Sequence, residues 1–261
     1  MIFNEQGFLS LEMETISNNI YNENKTLFDF WYKLNKFSVK IMFDLKILDN
    51  DDQQIIGVQL FSKISRGFQT IVLLYKNGLN TEAKIILRTI IETLYILKSI
   101  TEKLEYAKDF YYSYLINSKN LTEEILKNEF NAFDSLIDKL KIEDLEKLRE
   151  EIKTLNAKKI TKKEWAIRSG LMKKYHCAYK VLCSDTHPDV KNLQQEFLDV
   201  EKGEIMSINL LPKTNGIKEA FRTAGSVLID GLKCVCELTE IEFNKEFEKD
   251  INEIYFSYPD Y

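Results

Sequence analysis

The chain has 261 residues, of which 44% are hydrophobic and 30% charged, a balance that gives a soluble fold with a sizeable core. Its 36 Lys and Arg against 41 Asp and Glu leave a formal charge of -5, which excludes a uniformly basic, DNA-coating protein but leaves room for a local basic patch. Only 3 Pro and 9 Gly are present, too few for the many turns of an all-β fold, and 4 Cys are too few for a disulfide scaffold.

Residues 10–25 and 26–48 read as two helices, with Phe30, Leu34, Phe37, Ile41 and Leu45 recurring at steps of three and four. The acidic break "DNDDQQ" then caps a long helix over 52–76, marked by Ile55, Val58, Phe61, Ile64, Phe68, Ile71 and Leu74. "NGLN" ends it, with Gly78 suited to a left-handed position. The next helix, 81–100, is apolar around most of its circumference, so it is predicted to be central and buried. Residues 103–119 form an aromatic helix, and 122–157 read as a solvated, charged helical hairpin. A basic segment follows at 157–170, with Trp165 inside it. A helix over 168–186 is stopped by "HPDV", because the residue before Pro avoids the α region. Residues 189–214 read as irregular, with one extended piece at "EIMSINLLP", and the last helix spans 216–243. The predicted fold is all-α: a single multi-helix bundle whose N-terminal helices (1–50) pack on a core domain (51–250), with the charged hairpin projecting.

Two constellations carry chemistry. On the 81–100 helix, Arg88 and Glu92 lie four apart and share a face, extended by Tyr95 and Ser99. A charged pair inside so apolar a helix is either a structural ion pair or the lining of a polar pocket, with Arg88 facing an anion and Glu92 orienting it. On the 168–186 helix, His176, Lys180, Ser184 and His187 follow at four, four and three residues and form one stripe. His187 falls at the helix C-terminus beside Asp185, where the macrodipole favours an imidazolium, so it suits general acid/base work or, equally, a helix-capping role. The lysines at 158–163 and 173–174, with Trp165 and Tyr175, compose a basic and aromatic cluster of the kind that holds a nucleic-acid backbone and stacks a base, or a plain solvated face. "CVC" at 234–236 points its thiols to different faces. No phosphate-binding loop, dinucleotide fingerprint, zinc-protease motif or nucleophile elbow is present, and neither a metal site nor a cofactor is expected.

"AKIILRTIIETLYILKSI", followed some ninety residues later by "YKVLCSDTHPDV", resembles the DUF5677 family, helical proteins with an Arg-x-x-x-Glu helix and a later Tyr-x-x-Leu-x-Ser-x-x-His segment. The matching residues here are Arg88, Glu92, Tyr179, Leu182, Ser184 and His187. That family in turn looks similar to HEPN domains, helical bundles of toxins and antiphage defence, many of which are metal-independent RNases. The resemblance implies a HEPN-like bundle that cuts RNA. His187 would act as acid or base, Arg88 would stabilise charge on the phosphate, and Ser184 and Glu92 would orient them. Tyr95, Tyr179, Lys180 and His176 would contact substrate. It further implies a homodimer or higher oligomer and a partner protein from the same defence system. From the residues themselves, the four Cys read as reduced, buried thiols of a cytoplasmic protein, and no stretch is apolar for the roughly 18 residues that a membrane span needs, so no membrane association is expected. HEPN nucleases carry Arg four to six residues before His; here neither His has one, so Arg88 would serve from another helix. The alternative is a non-catalytic interaction or oligomerisation module, or a nucleotide-binding helical sensor.

Overall fold

The computed structural model of the chain describes residues 3–137, 140–186, 190–241 and 249, with the backbone alone for Phe130, Ser184, Asp185, Thr186 and Lys191. Among the described residues the fold is all-α apart from one short hairpin. Two N-terminal helices, α1 (Phe3–Gln6) and α2 (Met13–Glu23), lead into α3 (Lys25–Asp44). Then come the long pair α4 (Asp52–Lys76) and α5 (Asn80–Glu102). Asp51 starts α4 because its carboxylate accepts from the Gln54 amide at 3.0 Å, a side-chain cap for an otherwise orphaned donor. Gly78, at φ 72°, turns the chain into α5. A Cβ there would stand 2.4 Å from the Pro212 ring, so glycine is required by space as well as by angle.

The α4–α5 hairpin is the centre of the molecule. Its inner surface is Phe61, Ile64, Phe68, Ile71 and Tyr75 on α4 against Leu87, Ile90, Ile91, Leu94 and Leu97 on α5, all at most 2% exposed. The buried stripe of α4 sits slightly off the one read from sequence: Ile55, Val58 and Leu74 are only partly covered, and Tyr75 is sealed. α5 is deeply enclosed, with every residue from Thr93 to Leu97 buried. One side of the pair is closed by α3, through Phe28, Trp31 and Leu34, and by α13 (Ile217–Leu238), whose Phe221 ring lies 5.0 Å from Trp31.

The other side carries the candidate site. α6 (Leu104–Lys127) runs back along the bundle and extends well past the predicted end at 119. After the one-turn α7 (Asp134–Ile137), α8 (Ile142–Thr154) returns against α6, joined by Arg149 to Glu123 at 2.9 Å. This is the charged hairpin expected from the sequence. The basic segment folds as α9 (Lys162–Arg168), capped by the Thr161 hydroxyl, which accepts from the Glu164 amide. The next helix is not one regular rod. It begins as α10 (Met172–Lys174), opens into a π-turn at Tyr175–Tyr179, and continues as α11 (Lys180–Thr186). The region expected to be irregular folds as α12 (Val190–Phe197) and an antiparallel ribbon of β1 (Leu198–Glu201) and β2 (Glu204–Ile208), the second strand falling on the extended piece expected at "EIMSINLLP". Among the described residues no helix is long and apolar enough to cross a membrane.

Candidate functional site: a polar cluster on α5

α5 buries so much apolar surface that its two charged residues at 88 and 92 must find partners at once. They find each other at 3.2 Å, Arg88 Nη2 to Glu92 Oε1, one turn apart. The π-turn brings the third member. Tyr179, 6% exposed, accepts from Arg88 Nη2 at 3.2 Å and donates to Glu92 Oε1 at 3.0 Å, while its ring lies 5.3 Å beneath the guanidinium carbon. α9 brings the fourth: Lys162 Nζ reaches Glu92 Oε2 at 2.8 Å. Both carboxylate oxygens of Glu92 are thereby engaged, and one side chain ties α5, α9 and the π-turn together. Arg88 and Glu92 keep 23% and 17% of their side-chain surface open, so solvent reaches the cluster from one side.

Two donors inside this network are left over. Arg88 Nε and the Tyr95 hydroxyl are both buried and have no hydrogen-bond partner among the described residues. An unmade bond of this kind costs about 1–3 kcal/mol each. Tyr95 is fully sealed, one turn along α5, with its ring 6.1 Å from Tyr179 and 6.5 Å from Tyr175. Tyr175 and Tyr179 stack on each other at 5.2 Å. The site is therefore a charged pair lying over a wall of three tyrosines.

Burial sets the electrostatics. Removal from water raises the Tyr95 phenol well above its usual range and pushes Tyr179 up to about 12, although Arg88 pulls Tyr179 the other way. Both are neutral donors at any physiological pH. Burial alone would lower Arg88, but its hydrogen bond to Tyr179 and the nearby Glu92 charge outweigh that, and the guanidinium is held more firmly charged than usual.

Of the residues singled out in the sequence, Arg88, Glu92, Tyr95 and Tyr179 come together here. His176 and Lys180 do not: both are exposed, and they attend Tyr175 instead, the imidazole edge-on at 5.4 Å and the ammonium 5.7 Å over the ring. The Ser184 side chain and all of His187 lie outside the described residues. Trp165 is no stacking platform. It is 4% exposed, because α9 buries its 165/166/169 face against α5, where the Ser99 hydroxyl donates to the Trp165 carbonyl at 3.2 Å. Arg168 is likewise committed, to Asp109 at 2.6 Å and to Glu164 at 3.1 Å. The thiols divide: Cys234 and Cys236 are buried, whereas Cys177 is exposed and Cys183 half-buried, so burial does not hold for all four. Lys162 was visible in the sequence only as one lysine of a basic run; its partner lies seventy residues away, and no spacing rule links them. Among the described residues no group of three His, Cys, Asp or Glu converges on a point where a metal ion would sit.

A family model described as "Family of unknown function (DUF5677)" matches residues 54–205, more than half of the chain, and covers the whole cluster. Neither a curated protein nor a solved structure matches the chain.

Proposed function

Since the chain belongs to the DUF5677 family, whose description assigns no activity, we propose from the site itself that it is a phosphate-recognising centre of a metal-independent ribonuclease, acting in antiphage defence or a toxin system. The observation that carries the reading is the buried, unpartnered Nε of Arg88 in a cluster open to solvent on one side. A guanidinium with an unused N–H is ready to donate to a phosphate oxygen, and one already clamped by Glu92 and Tyr179 loses little entropy in doing so. Lys162, exposed at the rim, adds a second positive charge.

In this reading Arg88 neutralises charge that develops on the phosphate, while Glu92 and Tyr179 are positioning residues that fix the guanidinium plane. His187, next in sequence after α11, takes the proton from the ribose 2′-hydroxyl. The 2′-oxygen attacks phosphorus, the bond to the 5′-oxygen breaks, and that oxygen leaves with a proton. The products are a 2′,3′-cyclic phosphate and a 5′-hydroxyl. The setting in defence, the likeness to HEPN domains and a homodimeric state come from the family resemblance rather than from this geometry.

The test is expression of wild type, Arg88→Ala and His187→Ala from a tightly controlled promoter, with growth followed and RNA ends carrying 2′,3′-cyclic phosphate mapped. New cyclic ends with the wild type, lost in both folded variants, are expected. Intact RNA with the wild type, with and without phage challenge, would sink the proposal.

A second reading has its own support: Glu92 uses both oxygens to join three elements, which is what a structural clamp would do. A non-catalytic interaction module would then lose melting temperature in Glu92→Ala and show no RNA phenotype in any variant.

A further inference from the structure

On the opposite side of the π-turn from Tyr175 and Tyr179 lies a second recess. It has a volume of about 430 Å³ and is bounded by the turn after α9, the π-turn and the first half of α13. Its apolar floor is Ile91, Leu171 and Ala178; its rim is Lys173, Lys174 and Arg222, with the hydroxyls of Thr223 and Ser226 between them. Among the described residues no carboxylate lines it. Lys174 is held against the wall by Asp230 at 3.0 Å and by the Ser226 hydroxyl, to which it donates. Lys173 stands exposed at the mouth, as does the Cys177 thiol.

We propose that this recess is a nucleotide site, in which a phosphate lies against Lys173, Arg222 and the Ser226 hydroxyl, which accepts from Lys174 and keeps its own proton to donate, and a base lies on the Ile91–Leu171–Ala178 floor; the Thr223 hydroxyl already donates to the Glu219 carbonyl at 2.9 Å. The size suits one nucleotide, since ligand pockets begin at about 300 Å³. Cations with hydroxyls select a phosphate, and an apolar floor takes the face of a base rather than a second charge. The nucleotide is either free or one unit of an RNA strand. Ile91 adjoins Glu92 on α5, so the recess and the Arg88 cluster flank one short stretch of helix and one π-turn. A strand passing from one to the other would place neighbouring phosphates in each. The site does not depend on the chain cutting RNA.

Cys177 makes the test direct, because a ligand in the recess covers its thiol. The rate of Cys177 alkylation by iodoacetamide, read by peptide mass spectrometry on the full chain, is measured with adenosine 5′-monophosphate, adenosine, inorganic phosphate, or a short single-stranded 2′-deoxy oligonucleotide that cannot form a cyclic phosphate. Protection is expected from the mononucleotide or the oligonucleotide, reaching about threefold at twice the dissociation constant by mass action. It should exceed that from adenosine or phosphate alone. It should be lost in Lys173→Glu and in Thr223→Trp, which fills the recess, and be retained in Arg88→Ala. Protection by the mononucleotide identifies a free nucleotide as sufficient; protection by the oligonucleotide only identifies the strand. If neither slows alkylation, or if Lys173→Glu and Thr223→Trp are protected as well as the wild type, the site is refuted. Loss of protection in a folded Arg88→Ala would refute its independence from the cluster. Because no step requires cleavage, intact RNA in cells leaves this result standing.

Discussion

Replacing Tyr179 by Phe removes a single oxygen, one that accepts from Arg88 at 3.2 Å and donates to Glu92 at 3.0 Å. Hydrogen bonds to charged groups contribute about 1.5–3 kcal/mol each. Here the direct Arg88–Glu92 contact survives the change, and both partners keep some access to water, so the total loss is about 2 kcal/mol. For a chain of this size that lowers the melting temperature by about 4–8 °C near pH 8. The pH dependence is the sharper test. Burial holds the Tyr179 phenol at about 12, above its unfolded value near 10. The stability it contributes is therefore complete below about pH 10 and is lost as pH rises toward 12. By about pH 11 the gap between wild type and Tyr179→Phe should have narrowed by about 1.4 kcal/mol, one pH unit's worth of linkage. Urea unfolding of both proteins between about pH 8 and 11, followed by circular dichroism, measures this, since all other titrating groups are common to both and cancel. A gap that stays constant across that range, or a melting temperature within about 1 °C of wild type at pH 8, would refute the account of Tyr179 as a buried, doubly bonded phenol.

The bundle and the thiols give two further expectations. A Cβ at Gly67 would stand 2.2 Å from Ile90 Cγ2, on a β-branched side chain with 1% exposure and little freedom to turn away. Gly67→Ala should therefore destabilise by about 1–2 kcal/mol despite its better helix propensity, and Ile90→Ala should recover part of that in a double-mutant cycle; a stabilised Gly67→Ala would show that α4 and α5 are not so close. Burial raises the thiols of Cys234 and Cys236 to about 11, so at pH 8 about one in a thousand is thiolate. With a disulfide reagent Cys177 should react first and Cys183 more slowly, the other two only on unfolding; four equally fast thiols would contradict the buried placement of α13.

The long helices were legible because burial alone dictates their pattern: α4 and α5 fall within two residues of the sequence reading, and the Asn-Gly between them marks the turn. Arg88 and Glu92 were legible for the same reason, since two charges four apart on an apolar helix must either pair or line a pocket. What failed was signalled by weaker forces. The extended piece expected from residue 204 is there as β2, but its partner strand and their turn were not read: the ribbon at 198–208 turns through Lys202 and Gly203, both at positive φ. Lysine is an unusual first residue for such a turn, and every residue of β2 is exposed, so no buried face imposed a period of two. Val190, Leu193 and Phe197 of α12 have helical spacing, but all three remain exposed, which left little hydrophobic contrast to read. Trp165 was misplaced because lysines on three sides of it suggested solvent, while packing against α5 decided the matter.

The π-turn at Tyr175–Tyr179 has a meaning in chain length as well as in geometry. A wide turn of this kind holds one residue more than a regular helix would need to cover the same rise. Removing one residue there would let α10 and α11 run on as a single α-helix, at no loss of helical bonding. The helix downstream would keep its face, because five residues of a wide turn cover about the rotation and rise of four in an α-helix. What would change is the turn itself: Tyr175 and Tyr179, whose rings stack at 5.2 Å, would stand one residue closer in sequence and lose that overlap. The count of residues between Leu171 and Tyr179 is thus a specification of the site in its own right, one that substitution tables do not capture and that a single-codon deletion would erase while leaving every named side chain of the cluster in the sequence.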